Sequence, residues 1–211
     1  MINPRSGHQL AHLHRKFEFK TKDYIYAIGS KYPDETSKKC EVYDISKNKW
    51  TEIADLEQSR HYHTVTVLDN RYIYVIGGRD SMNETPLESI ERLDGFLDLD
   101  KQQWEQLQHV NKHNLWSPRD TLGSFALNDS EILIFGGDYG WISDCFNFNT
   151  KTNEIMRLPE CSLKKPEEFF RSQPVRYNEK VFVIGCLDKD VHVYSVKASK
   201  WFLLEKWYID W

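Results

Sequence analysis

The sequence has no long hydrophobic run. None approaches the ~20 consecutive apolar residues of a membrane helix, and Met1 to His8 lack the apolar segment of a secretory leader. Charge of one sign is missing too. The 28 basic and 32 acidic side chains leave a net charge of −4, which argues against nucleic acid or an anionic membrane surface as a partner. Cysteine is sparse: Cys40, Cys145, Cys161 and Cys186 lie far apart with no metal-site spacing. The expectation is a cytoplasmic protein with reduced thiols. Motifs of catalysis are absent as well. Gly136-Gly137-Asp138-Tyr139-Gly140 has no following Lys-Ser or Lys-Thr and opens no helical pattern, so it is not a phosphate loop. There is no Gly-x-Ser-x-Gly elbow and no His-Glu-x-x-His. No catalytic residue, cofactor or metal is therefore expected.

What the chain does have is a stretch that recurs. In Arg71-Tyr72-Ile73-Tyr74-Val75-Ile76-Gly77-Gly78, five apolar residues run without a polar face and end at two glycines. That is the pattern of a short strand buried on both sides, closed where the backbone takes conformations that a side chain opposes. It returns as Tyr24–Gly29, Glu131–Gly137 and Lys180–Gly185, with Ser30 and Cys186 replacing the second glycine in the outer copies. Downstream of each lies a polar turn between an Asp, Asn or Ser and a large apolar residue six positions on. The pairs are Asp44 with Trp50, Asp98 with Trp104, Asn149 with Ile155 and Ser195 with Trp201. These read as hairpins whose second strand opens on an apolar anchor. Upstream, an arginine opens a further strand: Arg5, Arg60, Arg119 and Arg171. The first copy holds extra charged residues from Arg15 to Lys22, read as a lengthened hairpin tip.

Each copy thus predicts a four-stranded antiparallel meander, and the anchors are spaced 54, 51 and 46 residues apart. The order of the markers resembles the kelch repeat, over about Pro4 to Leu204. The resemblance implies an all-β fold of four β-propeller blades, near residues 4–56, 59–108, 117–159 and 169–205 of a single domain 1–211. The Gly-His and Trp-Asp marks of WD40 blades are missing. Kelch rings are usually larger than four blades. The chain is therefore expected to be an open arc, with a partial gene product or half of a ring shared with another chain as alternatives. Trp207-Tyr208-Ile209-Asp210-Trp211 reads as the start of something cut off, and self-association through exposed outer blades is an expectation.

The resemblance also bears on function. In kelch adaptors the opening arginines form a cationic ring at one mouth of the channel, so Arg5, Arg60, Arg119 and Arg171 are the candidate partner-binding residues. Guanidinium suits acidic peptides because it binds carboxylates bidentately. The competing reading pairs each arginine with backbone carbonyls or with an acid of its own repeat, such as Glu41 or Glu91. Gly29, Gly77, Gly78, Gly136, Gly137, Gly185, Trp50, Trp104 and Trp201 are read as structural repeat positions, the tryptophans packing between blades. His12-Leu13-His14 and His61-Tyr62-His63 could each present two imidazoles to one side of a strand, but two ligands make no metal site. The longest loop after a buried strand, Arg79 to Leu87, is a place for specificity. The reading is a non-catalytic scaffold for an unidentified protein partner. The alternatives are a kelch-propeller enzyme of the sugar mutarotase or copper-oxidase kind, or a partial propeller without independent function.

Overall fold

The structure is a computed structural model that describes residues 1–17, 20–32, 35–111, 116–137, 144–158, 174–184 and 191–204. Arg171, Gly185, Cys161, Cys186 and Trp207–Trp211 lie outside the described residues. Tyr72–Ile76 is a strand, with Ile73, Val75 and Ile76 fully enclosed. It sits second in a sheet because hydrogen-bonded neighbours flank it on both edges, while its apolar residues face opposite sides of the pleat.

Four antiparallel meanders follow one another along the chain. The first contains β1 (Gln9–Phe17), β2 (Lys20–Ile28), β3 (Cys40–Asp44) and β4 (Lys49–Ile53); the second contains β5 (Thr64–Leu68), β6 (Tyr72–Ile76), β7 (Ile90–Asp94) and β8 (Trp104–Leu107). A two-residue strand, β9 (Val110–Asn111), then leads to β10 (Leu122–Asn128), β11 (Glu131–Gly136), β12 (Cys145–Asn149) and β13 (Glu154–Arg157). The last sheet is β14 (Val175–Tyr177), β15 (Lys180–Ile184), β16 (Val191–Ser195) and β17 (Lys200–Leu204). Two short 3-10 turns, Glu35–Lys38 and Leu99–Lys101, lie between strands. The third sheet gains a fifth strand, since β9 adds in parallel to β13.

Three apolar clusters hold these blades in series. One joins the first and second through Tyr24, Tyr26, Ile73, Val75 and Trp104. A second joins the second and third through Tyr74, Ile76, Ile132, Ile134 and Ile155. The third joins the third and fourth through Phe125, Phe135, Val181, Val183 and Tyr194. Among the described residues no cluster joins the fourth blade to the first, and the propeller is open.

Two sequence readings are corrected. The hairpin partner of Tyr72 is Asp94, as Asp44 is of Tyr24, so Asp94 and not Asp98 ends the third strand of the second blade. The turn there is four residues longer, and Leu97 within it is exposed. Nor do the arginines open strands: Arg60 precedes β5 by four positions. The extended first hairpin is present, paired out to Phe17 and Lys20. It reaches over the second blade, where His14 N donates to Asn70 Oδ1 at 3.0 Å and Arg15 lies over the rings of Tyr24 and Phe96.

Candidate functional site

Arg5, Arg60 and Arg119 sit at equivalent points, just before the first strand of blades one to three. None faces solvent as a cationic ring would. The side chains of Arg5 and Arg60 and of their partners Glu41 and Glu91 are all 0 % exposed. Arg60 Nη1 donates to the carbonyls of Gly77 (2.8 Å) and Ser89 (3.2 Å), and Nη2 donates to Glu91 Oε1 at 2.5 Å. Arg5 repeats this with the carbonyls of Gly29 and Lys39 and with Glu41 Oε1 at 2.7 Å. The guanidinium thus ties the end of the second strand to the start of the third. Two backbone N–H groups complete each carboxylate: Ile2 and Asn3 donate to Glu41, Glu57 and Gln58 to Glu91. Burial pushes the Glu41 carboxyl up, but the hydrogen bonds from Ile2, Arg5 and Asn3 outweigh it and hold the group below the ordinary carboxylate range.

In the third blade the acid is replaced. Val75 pairs with Glu91 and, at the same point, Ile134 pairs with Phe146. Arg119 lies over the rings of Phe146 at 4.7 Å and Trp116 at 4.6 Å, and still donates to Gly136 O at 3.4 Å. Two aromatic faces under the cation take the place that a carboxylate holds in the other two blades. The expectation of partner-contacting arginines is corrected for these three, because an enclosed guanidinium has no free donor side to offer an acidic peptide.

The glycines follow from the same junctions. Gly29, Gly77 and Gly136 take φ of 69°, 60° and 69°. A Cβ at Gly29 would meet Arg60 O at 2.4 Å, and one at Gly77 would meet Arg119 O at 2.7 Å. The backbone of each following blade therefore presses where the second strand ends. Gly78 and Gly137 also have positive φ. Two positions after each arginine, Gly7, Tyr62 and Thr121 share a left-handed backbone, φ 63°, 53° and 55°. Tyr62 N donates to Gly7 O (3.0 Å) and Thr121 N to Tyr62 O (2.8 Å), a hydrogen-bonded chain crossing three blades.

That conformation overturns the extended reading of His61-Tyr62-His63. His61 Nδ1 contacts Ser81 Oγ at 3.1 Å, whereas His63 is enclosed between the glycines, 2.9 Å from a Cβ at Gly29 and 2.7 Å from one at Gly78. His12 Nε2 and His14 Nδ1 both bond Asp23 Oδ1 at 2.9 Å. The anchors differ by position. Trp104 is buried and donates through Nε1 to Ala54 O of the preceding blade at 3.1 Å. Trp201 packs on Phe135 of the third blade, 5.1 Å between ring centroids. Trp50 stacks on Tyr43 of its own blade at 5.1 Å and stays half-buried.

What solvent meets at this end is the set of loops after the second strands. Lys31 lies over the Tyr62 ring at 5.5 Å, and Ser81 Oγ donates to Ser30 O at 2.6 Å, linking the loops of blades one and two. Arg79 Nε donates to the buried Asp120 Oδ2 at 2.6 Å, linking blades two and three. Around these ties Tyr32 and Met82 are exposed, at 44 % and 59 %. Sequence reasoning named the Arg79 loop but missed Lys31, Tyr32 and Tyr62, which no motif marks.

Comparison with known proteins agrees with this architecture. The family model described as the KLHDC2/KLHL20/DRC7 Kelch-repeats domain matches residues 7–206. The chain is similar to alpha-scruin of Limulus polyphemus, 29% identical over 202 residues, which is 88% of this chain and 19% of that protein. It is similar to beta-scruin of the same organism, 29% identical over 139 residues, 65% of this chain and 14% of that protein. Kelch-like protein 41a of Danio rerio is 28% identical over 114 residues, 53% of this chain and 17% of that protein. The chain spans less than a fifth of the length of these relatives. With a family model matched from the first strand to the last and four meanders in series, the chain belongs to the kelch-repeat family.

Proposed function

We propose that the chain is a non-catalytic protein-interaction scaffold, one kelch-repeat domain whose loops after the second strands engage a protein partner. The observation that carries this reading is a division of labour at one end of the blades. The arginines are consumed in fastening the repeats, while Lys31, Tyr32, Tyr62 and Met82 stand on loops cross-tied over three blades. A rigid platform bearing aromatic, methionine and cationic side chains suits a protein surface, since such residues dominate interface energetics. The buried side chains of Cys40 and Cys145 fit a reducing compartment and hence the cytoplasm.

The test is co-purification from the native cell with wild type and with the double variant Lys31→Glu, Met82→Asp. Loss of a defined set of proteins at unchanged melting temperature is expected. Retention of the same set by the variant would contradict the loop surface. Stoichiometric copper or zinc on purified protein, lost in His61→Ala, would contradict the non-catalytic reading.

A further inference from the structure

The interior junctions are all of one kind, and each uses two different faces. Toward the preceding blade, the second blade presents the cross-strand row Val67–Ile73–Leu93–Trp104. The third presents Ala126–Ile132–Phe148–Ile155. The fourth presents Val181–Tyr194–Trp201 in the same register. All three rows are packed in the apolar clusters. The first blade has the same row, His12–Ile25–Tyr43–Trp50, with Ile25, Tyr43 and Trp50 only half-buried and the adjacent Leu10 54 % exposed.

The opposite face shows the converse. Toward the following blade, the first presents Ala11–Tyr26–Val42–Thr51 and the second Thr66–Tyr74–Arg92–Glu105. The fourth blade carries Val175–Phe182–Val193–Phe202 in that register. This row is wholly apolar, and Val175 and Phe202 are 62 % and 51 % exposed. Among the described residues one unused face of each type therefore remains, one at each end of the arc.

We propose that two copies of this chain associate head to tail, the Val175–Phe202 row of one on the Leu10–Trp50 face of the other, at both ends at once. The contact continues the junction already made three times within the chain. It is heterologous, and a two-fold axis relating the copies makes it twice and leaves no apolar end. Eight blades result, within the range of ~4–8 that propellers carry. This inference rests on the blade faces and not on the loop surface of the proposed function.

Sedimentation over a dilution series tests it, with Leu10→Arg and Phe202→Asp as the two face variants. Both side chains are more than half exposed, so each variant should keep its melting temperature; Val175→Asp replaces Phe202→Asp if that one does not fold. Wild type is expected to pass from monomer to dimer and no further, and each variant to lose the dimer. Mixing the two variants, labelled with donor and acceptor dyes, should restore association, because one retains the blade-four face and the other the blade-one face. A monomer at every concentration, growth beyond the dimer, or no energy transfer in the mixture would overturn the proposal.

Discussion

At the scale of the residue, the arginine is a fastener. Arg60 and Glu91 are each 0 % exposed, so removing one partner strands a buried charge, which costs about 3–5 kcal/mol. Glu91→Gln and Arg60→Met are each expected to lower unfolding free energy by about that amount, measured by urea denaturation. The double variant should cost well under the sum, since neither charge is then left alone. Additive losses would show that the pair is not coupled. His63 makes a second residue-scale prediction. Neither ring nitrogen has a hydrogen-bond partner among the described residues. Burial first, then Arg60, His61 and His8, hold its proton affinity well below the ordinary value of 6.5. Below that value the unfolded chain takes up a proton that the folded one refuses. Stability is therefore fully present above about pH 6.5 and falls as pH drops below it. At the matching position of the third blade Leu122 packs near Gly77, as His63 packs near Gly29. His63→Leu should flatten the loss between about pH 7 and 5 in urea titrations. An unchanged slope would assign it to other groups.

At the scale of the element, the long first hairpin is the feature that departs most from the repeat. Leu13 is fully buried, and a Cβ at Gly95 would come within 2.3 Å of Leu13 Cδ1 and 3.0 Å of Arg71 O. Gly95→Ala should thus push the hairpin off the second blade at a cost of about 1–3 kcal/mol, the usual range for overpacking. The double variant with Leu13→Ala should cost less than the sum, as read from melting curves; strict additivity would mean the hairpin does not bear on that turn. Gly95 also marks how far elements could be read in advance. Tyr72–Ile76 was legible because five apolar residues ended by glycine leave few alternatives, and the four meanders followed from repetition. Counting six residues back from Trp104 aligns the third strand of the second blade on Asp98. A turn of different length, Asp94 to Trp104, breaks such counting. Tyr62 hid the bend at His61–His63, since a left-handed tyrosine has no sequence mark. Burial of the arginines was half legible: Glu41 and Glu91 offered partners, but Phe146 in the third blade disguised the shared position until strand register revealed it.

At the scale of the whole molecule, the arc sets which strands are supported. The strands β6 and β11 carry neighbours on both faces, whereas among the described residues β2 and β15 pack on one. Exposed or half-covered apolar surface at the ends, Leu10 and Trp50 on one and Val175 and Phe202 on the other, lowers the cost of local opening there. The loops that carry the proposed partner surface belong to the first and second blades and are tied across the first two junctions, through Ser81 to Ser30 and Arg79 to Asp120. Native-state hydrogen exchange on the dilute monomer tests this arrangement most directly. An open arc predicts that amides of Tyr72–Ile76 and Ile132–Phe135 exchange slowest, and those of Tyr24–Ile28 and Val181–Val183 markedly faster. Equal protection of all four second strands at high dilution would contradict it.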